Sequence, residues 1–216
     1  MKRNRCKKIA AALLCVVMGC TTLGQGFSAA AADATTSEEE VEINFAKALQ
    51  MSLYFYDANK CGSGITGGNL EWRGDCHTED AAVPLKPMGE DYKGTNLSQE
   101  FIDAHRDILD PDGDGTIDVA GGMHDAGDHV KFCLPGSYAA STLGWGYYEF
   151  RDAYVDSGQQ WHIEDILHWF NDYYLKCTYF DENGDILAFC YQVGEGDIDH
   201  NYWNAPELQN ESLLDF

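Results

Sequence analysis

Positive charge is scarce in this chain: 14 Lys and Arg stand against 36 Asp and Glu, a net charge of −22 over 216 residues. Phosphate backbones and anionic lipid need a basic surface, so nucleic acid and anionic membranes are poor partners; a neutral polymer or a cation is acceptable. Long apolar runs are lacking too. The longest, Ile9 to about Gly19, falls short of the roughly 20 apolar residues that cross a bilayer. There is no internal repeat and no composition shift that marks a second domain. Aromatics are not lacking, at 12%, and the charged fraction is an ordinary 23%, so the chain reads as a folded globule and not as a disordered acidic tail.

The first residues read as an address. Lys2, Arg3, Arg5, Lys7 and Lys8 precede the short apolar run, and the small residues of "FSAAAADA" suit cleavage near Ala30–Ala32. The expectation is a signal peptide over 1–32 and secretion, ahead of lipoprotein anchoring at Cys20, since Met18 suits a lipoprotein site poorly. Losing 1–32 removes five basic residues and no acidic one, which leaves 9 basic against 36 acidic and a net charge of −27. An acidic linker follows at 33–40, then one domain from 41 to 216, long enough for a proper core. Five cysteines remain in it (Cys61, Cys76, Cys133, Cys177 and Cys190), an odd number that leaves at least one thiol unpaired unless a metal takes some.

Helical periodicity appears three times. Phe45, Leu49, Leu53 and Tyr56 recur over 44–59; Ala139, Leu143, Gly146, Tyr147 and Phe150 share a face over 137–154; Ile163, Ile166, Leu167, Phe170, Tyr174 and Cys177 form the clearest stripe. Trp145, Trp161 and Trp169 lie within these helices and are expected in the core. Glycine-rich loop fills 60–135, apart from a short helix near 98–108, and "ILAFCYQV" (186–193) reads as a short strand. The pattern predicts an all-α scaffold carrying its chemistry on loops.

One loop stands out. "GGMHDAGDHVKF" (121–132) sets Asp125 and Asp128 three residues apart, flanked by His124 and His129. Aspartates so spaced cap helices and make turns, and they also hold a water or a metal. A second acidic stretch, "DPDGDGTID" (110–118), has the spacing of a calcium loop through Asp110, Asp112, Asp114, the Thr116 carbonyl and Asp118. Gly121 stands where such a loop wants a bidentate glutamate, so a solvated acidic turn is the competing reading.

With "WRGDC" (72–76), "DAGDHVKF", the helix after it and "YQVGEGDIDHNYWNAPE" (191–207), the chain resembles glycoside hydrolase family 9, whose members are inverting enzymes that cleave β-1,4-glucans, chiefly endoglucanases. The resemblance runs from about Asn44 to Glu207, in the family's order. It implies part of a six-hairpin (α/α)6 toroid, here its N-terminal portion, with Asp128 as general base and Asp125 helping to hold the water. It places the general acid, a glutamate, beyond Phe216, so this stretch alone is expected to be inactive. His200 and Trp203 match cleft positions, which implies cellulose or another β-1,4-glucan as partner and no organic cofactor. Cys61, Cys76, His77 and His124 match a structural zinc site found in some members; without the resemblance the plain reading of Cys61 and Cys76 in an exported protein is a disulfide. Met123 and Cys133 depart from the family's usual tryptophan and glycine. A different class of reading is a non-catalytic glucan- or cation-binding surface protein on the same scaffold.

Overall fold

The computed structural model describes residues 43–209. The leader, Cys20 and the acidic linker lie outside those residues, as do the last seven. Among the described residues six α-helices run in chain order: α1 (Phe45–Asn59), α2 (Gln99–Ala104), α3 (Arg106–Leu109), α4 (Cys133–Glu149), α5 (Arg151–Asp156) and α6 (Gln160–Lys176). Three antiparallel ribbons accompany them. β1 (Val83–Pro84) pairs with β2 (Thr116–Ile117), β3 (Lys131–Phe132) with β6 (Gln192–Val193), and β4 (Thr178–Phe180) with β5 (Ile186–Phe189). The described residues are thus helical with short ribbons and form no closed barrel.

The apolar stripes of the sequence build the main core. Leu53 of α1, Tyr154 of α5, and Ile163, Ile166 and Phe170 of α6 are buried together, with Ala139, Leu143 and Tyr147 of α4 packed against them. Each such apolar side chain contributes about 1.5–3 kcal/mol on burial. Asn44 caps α1 by accepting from Lys47 N at 2.9 Å, and Ser98 caps α2 by accepting from Phe101 N.

Two expectations need correction. The helix expected over 137–154 begins at Cys133, with Pro135 in its first turn where a proline costs no hydrogen bond. It also stops at Phe150, whose φ of −120° breaks the regular geometry so that α5 sets off anew and buries Tyr154. The tryptophans divide as well. Trp169 is partly buried and donates to Gly122 O at 2.8 Å, but Trp145 and Trp161 are 68% and 59% exposed, because α4 and α6 bury only one face each among the described residues.

The strand expected over 186–193 is split at Cys190 and Tyr191. Its first half closes a hairpin on the residues after α6; its second half crosses to β3, directly behind the Asp125–Asp128 loop. That crossing ties the far end of the chain to the loop.

Candidate active site and metal centre

Three chain segments lie side by side like short strands and assemble the site. Cys61 N donates to Gly122 O at 3.0 Å, His124 N to Asn59 O at 2.8 Å, and Gly62 and Cys76 exchange two backbone bonds of 3.0 Å. The approach is close enough to require glycine. A Cβ on Gly122 would sit 2.8 Å from the Tyr173 ring, and Gly122 itself has φ +74°. Segments 59–62, 74–77 and 121–124 thereby bring together the two cysteines and two histidines that are far apart in sequence.

The ligand atoms of Cys61, Cys76, His77 and His124 all lie within 4.8 Å of one another. Both cysteines are thiols. His77 Nδ1 and Nε2 and His124 Nε2 are buried without a hydrogen-bond partner, an arrangement folded proteins rarely leave unanswered. Two sulfurs and two imidazoles are the donor set of a closed tetrahedral zinc site, so these residues fit that ion. Hydrogen bonding from Cys61 pulls the Cys76 thiol far below its usual range while Cys61 itself is pushed up. Burial holds His124 down; burial also opposes charge on His77, but Cys76, Asp80 and Gln209 together raise it. A thiolate is thus already favoured where a metal requires one.

Around the quartet is a shell that the sequence did not reveal. Buried Arg73 donates to the carbonyls of Ala58 and Lys60, contacts Cys76 Sγ at 3.5 Å and pairs with Glu207 at 2.6 Å. His129 reaches Gln209 through Nδ1 and packs on His77 and His124. Lys131, its side chain 2% exposed, donates to Val119 O and Gly121 O and pairs with Asp80 at 2.7 Å. "WRGDC" and "DHVKF" flagged the neighbourhoods of Arg73 and Lys131, but no spacing rule pairs them with partners so distant.

The two aspartates occupy one tight turn, closed by Asp125 N donating to Val130 O at 3.0 Å. Asp125 is exposed. Its carboxyl is raised above the usual range, first by partial desolvation and then by the charge of Asp128. Asp128 is 1% exposed; His200 Nδ1 meets its Oδ2 at 2.8 Å, and Oδ1 has no hydrogen-bond partner. Trp203 stands beside them, 63% exposed, 5.9 Å from the His200 ring, with its edge over Gly127, where a Cβ would meet it at 2.8 Å. All four residues read from the sequence as catalytic or sugar-facing are therefore neighbours, with Asp125, His200 and Trp203 exposed and Asp128 buried behind them. A cavity of about 980 Å³ borders His77 and His129 and neither aspartate.

The calcium reading divides. Asp110, Asp112 and Asp114 converge; Asp110 is buried, with Oδ1 unpartnered and Oδ2 accepting from Gly115 N at 3.0 Å. Asp114 accepts from Thr116 N and Oγ1, and Thr116 lies in β2. Asp118 is not among the converging groups, because Lys176 holds its carboxylate at 3.0 Å.

Comparison with known proteins identifies the family. The model of "Glycosyl hydrolase family 9" matches residues 45–214. Endoglucanase A of Bacillus pumilus is 32% identical over 176 residues, 82% of this chain and 21% of the relative. Among solved structures, the catalytic domain of Clostridium thermocellum CelT is 56% identical with a TM-score of 0.73, covering 79% of this chain and 34% of that one. The cellulase Cel9M of C. cellulolyticum in complex with cellobiose is 36% identical with a TM-score of 0.55, covering 79% and 31%. The chain spans between about a fifth and a third of the length of these relatives. A family match that takes in both aspartates, the cysteine–histidine quartet and the His200–Trp203 loop makes this chain a member of glycosyl hydrolase family 9.

Proposed function

We propose that the chain supplies the water-activating half of an inverting β-1,4-glucanase, as the N-terminal portion of a six-hairpin (α/α)6 catalytic domain. Asp128 is the general base. The observation that carries this reading is its two unlike oxygens: Oδ2 is held by His200, while Oδ1 is buried without a protein partner, an acceptor that a bound water would satisfy. A buried carboxylate fixed at one oxygen presents the other in a single orientation, which proton abstraction needs. Asp125, on the same turn, orients the water. An inverting enzyme also needs an acid roughly 6.5–9.5 Å away across the scissile bond; the family resemblance assigns it to a glutamate further along the chain than Phe216.

The substrate is cellulose or a related β-glucan. Trp203 offers an open aromatic face for a sugar ring, and His200 shares its edge. Cys61, Cys76, His77 and His124 hold a structural zinc. With four protein ligands the ion has no open position, so it does not polarise substrate; it fixes the segment leading into Asp125. Any calcium at Asp110, Asp112 and Asp114 stiffens the loop before β2. The mature protein acts outside the cell, after removal of 1–32.

The test is Asp128→Asn in a protein that carries this region together with its general acid. The amide keeps the His200 contact but cannot take a proton. We expect kcat to fall by about 10²–10⁴-fold with little change in KM, and azide, as a substitute nucleophile, to restore part of the rate. Retention of more than about a tenth of wild-type kcat, well short of that range, would remove Asp128 from the role.

A further inference from the structure

The three cysteines outside the quartet are not scattered. Cys177 follows α6 and Cys190 follows β5, at the open end of a hairpin whose register shifts only further on, between Tyr179 and Phe180. Thr178 faces Phe189 in that ladder, so Cys177 faces Cys190, and Cys190 N donates to Cys177 O at 2.9 Å. Facing residues of an antiparallel ribbon have Cα atoms about 4.5–5.5 Å apart, inside the span of about 4.4–6.8 Å that a disulfide bridges. Cys133 is placed differently: its Sγ points to the Cys190 carbonyl oxygen at 3.3 Å, while its own N–H binds Tyr191 O. Cys177 and Cys190 oppose each other across the ribbon, with Cys190 Sγ 3.4 Å from Gln192 O; the third cysteine lies beneath the backbone of Cys190.

Access is equally uneven. Cys177 is fully buried, whereas Cys190 is only partly so and borders a cavity of about 980 Å³, along with Tyr179, Ala188 and Phe189. A small molecule entering that cavity reaches Cys190 first and Cys177 only through it.

We propose that Cys177 and Cys190 are a reversible dithiol–disulfide pair, with Cys190 the attacking thiol, Cys177 the resolving one and a low-molecular-weight disulfide the oxidant. Cys190, as thiolate, attacks one sulfur of the small disulfide; a mixed disulfide forms and one small thiolate leaves. Cys177 then attacks the Cys190 sulfur, the protein disulfide forms and the second small thiolate leaves. The two protons lost by the cysteines end on the two small thiols, so two protein thiols are oxidised as one small disulfide is reduced. The hydrogen bond from Cys177 lowers the Cys190 thiol below its usual value, which suits it to the first step.

The bond has a structural consequence. Cβ atoms in a cross-strand pair lie about 4.5–5.5 Å apart, wider than the roughly 3.5–4.5 Å of a relaxed disulfide, so the hairpin base must tighten and the bond is readily reduced. Cys190 leads into β6, β6 pairs with β3, and β3 leaves the Asp125–Asp128 turn. Oxidation fastens that ribbon to the end of α6.

The test equilibrates the folded chain with oxidised glutathione, unfolds it in urea containing iodoacetamide to block every free thiol, and digests with an endoprotease specific for glutamate. Glu182 separates Cys177 from Cys190, and Glu149 and Glu164 separate both from Cys133. The expected product is one cross-linked peptide pair holding Cys177 and Cys190, lighter by two hydrogens than its reduced parts and returned to them by reduced glutathione, with Cys133 alkylated. Cys177→Ser should trap glutathione on Cys190; Cys190→Ser should leave Cys177 alkylatable and without adduct. A Cys133–Cys190 link, a glutathione adduct persisting on Cys190 in the unsubstituted chain, or full alkylation of both cysteines would each overturn the proposal. The readout needs no glucan hydrolysis, so it stands apart from the activity proposed above.

Discussion

Lys131→Met would test how the turn bearing the aspartates is held. The substitution keeps most of the side chain's length and apolar stem but removes an ammonium with three partners: Asp80 at 2.7 Å, Val119 O at 2.7 Å and Gly121 O at 3.2 Å. Burial alone would lower the Lys131 pKa, yet it is raised, because nearby Cys61 and Asp80 favour the charged form. A raised lysine contributes its full stabilisation below the unfolded pKa of about 10.4 and loses it only as pH rises through the folded value, so the ammonium is charged throughout the neutral range. Removing one partner of such a buried pair costs about 3–5 kcal/mol, since the carboxylate left behind has lost its counter-charge. The two carbonyls add to this, at about 1–3 kcal/mol for each acceptor stranded away from water. Asp80 retains some exposure and so some hydration, which places the ion-pair contribution near the lower end of its range. Urea unfolding at neutral pH, followed by circular dichroism, measures it as a shift in midpoint with an unchanged slope. Asp80→Asn combined with Lys131→Met should cost less than the two separate losses added together. A loss below about 1 kcal/mol for Lys131→Met, the range of an exposed pair, would refute the buried-anchor reasoning.

Other outcomes follow from the site. A strong chelator should lower the melting temperature and zinc should restore it, with metal analysis giving one ion per chain; a Cys61–Cys76 disulfide in the purified protein, found by mass spectrometry, would contradict this. Asp125→Asn should stabilise the chain at neutral pH: the raised carboxyl binds its proton more tightly folded than unfolded, so its ionised form opposes folding. That gain should vanish as pH falls below the ordinary value near 3.9, which thermal melts across pH would show. Gly127→Ala should leave stability within about 0.5 kcal/mol, because the clashing atoms belong to an exposed Trp203 ring that can swing away; calorimetry should nonetheless show weaker binding of a cello-oligosaccharide, since the stacking face is displaced.

The helices were the legible part of the sequence, and for a local reason. Leu53, Ile163, Ile166 and Phe170 repeat at the helical period and are buried together, so each stripe announced its own partner surface. The break at Phe150 was hidden because neither glycine nor proline marks it; packing of Tyr154 imposes it from outside the helix. Trp145 and Trp161 misled in the opposite sense, being apolar residues on the outer faces of helices whose inner faces were already filled. Among site residues, those carried by short motifs were readable: Asp125, Asp128 and His124 sit within five positions. Lys131, Arg73 and Gln209 were not, since each acts through a partner that only the folded loops bring near, and a buried lysine looks in sequence like a solvated one.

The span between partners also sets an order of events. Asp128 is clamped by a histidine 72 residues later, His129 by a glutamine 80 later, and Arg73 by a glutamate 134 later. Contacts so distant come after local ones, because the closure entropy of the intervening chain must be offset before they contribute. On the ribosome the delay is longer still. At about 5–20 residues per second, the stretch from Asp128 to His200 takes several seconds to follow, and throughout that interval Asp128 has no histidine to hold it. The helical core can settle first, and the site closes over it as one of the last acts of folding.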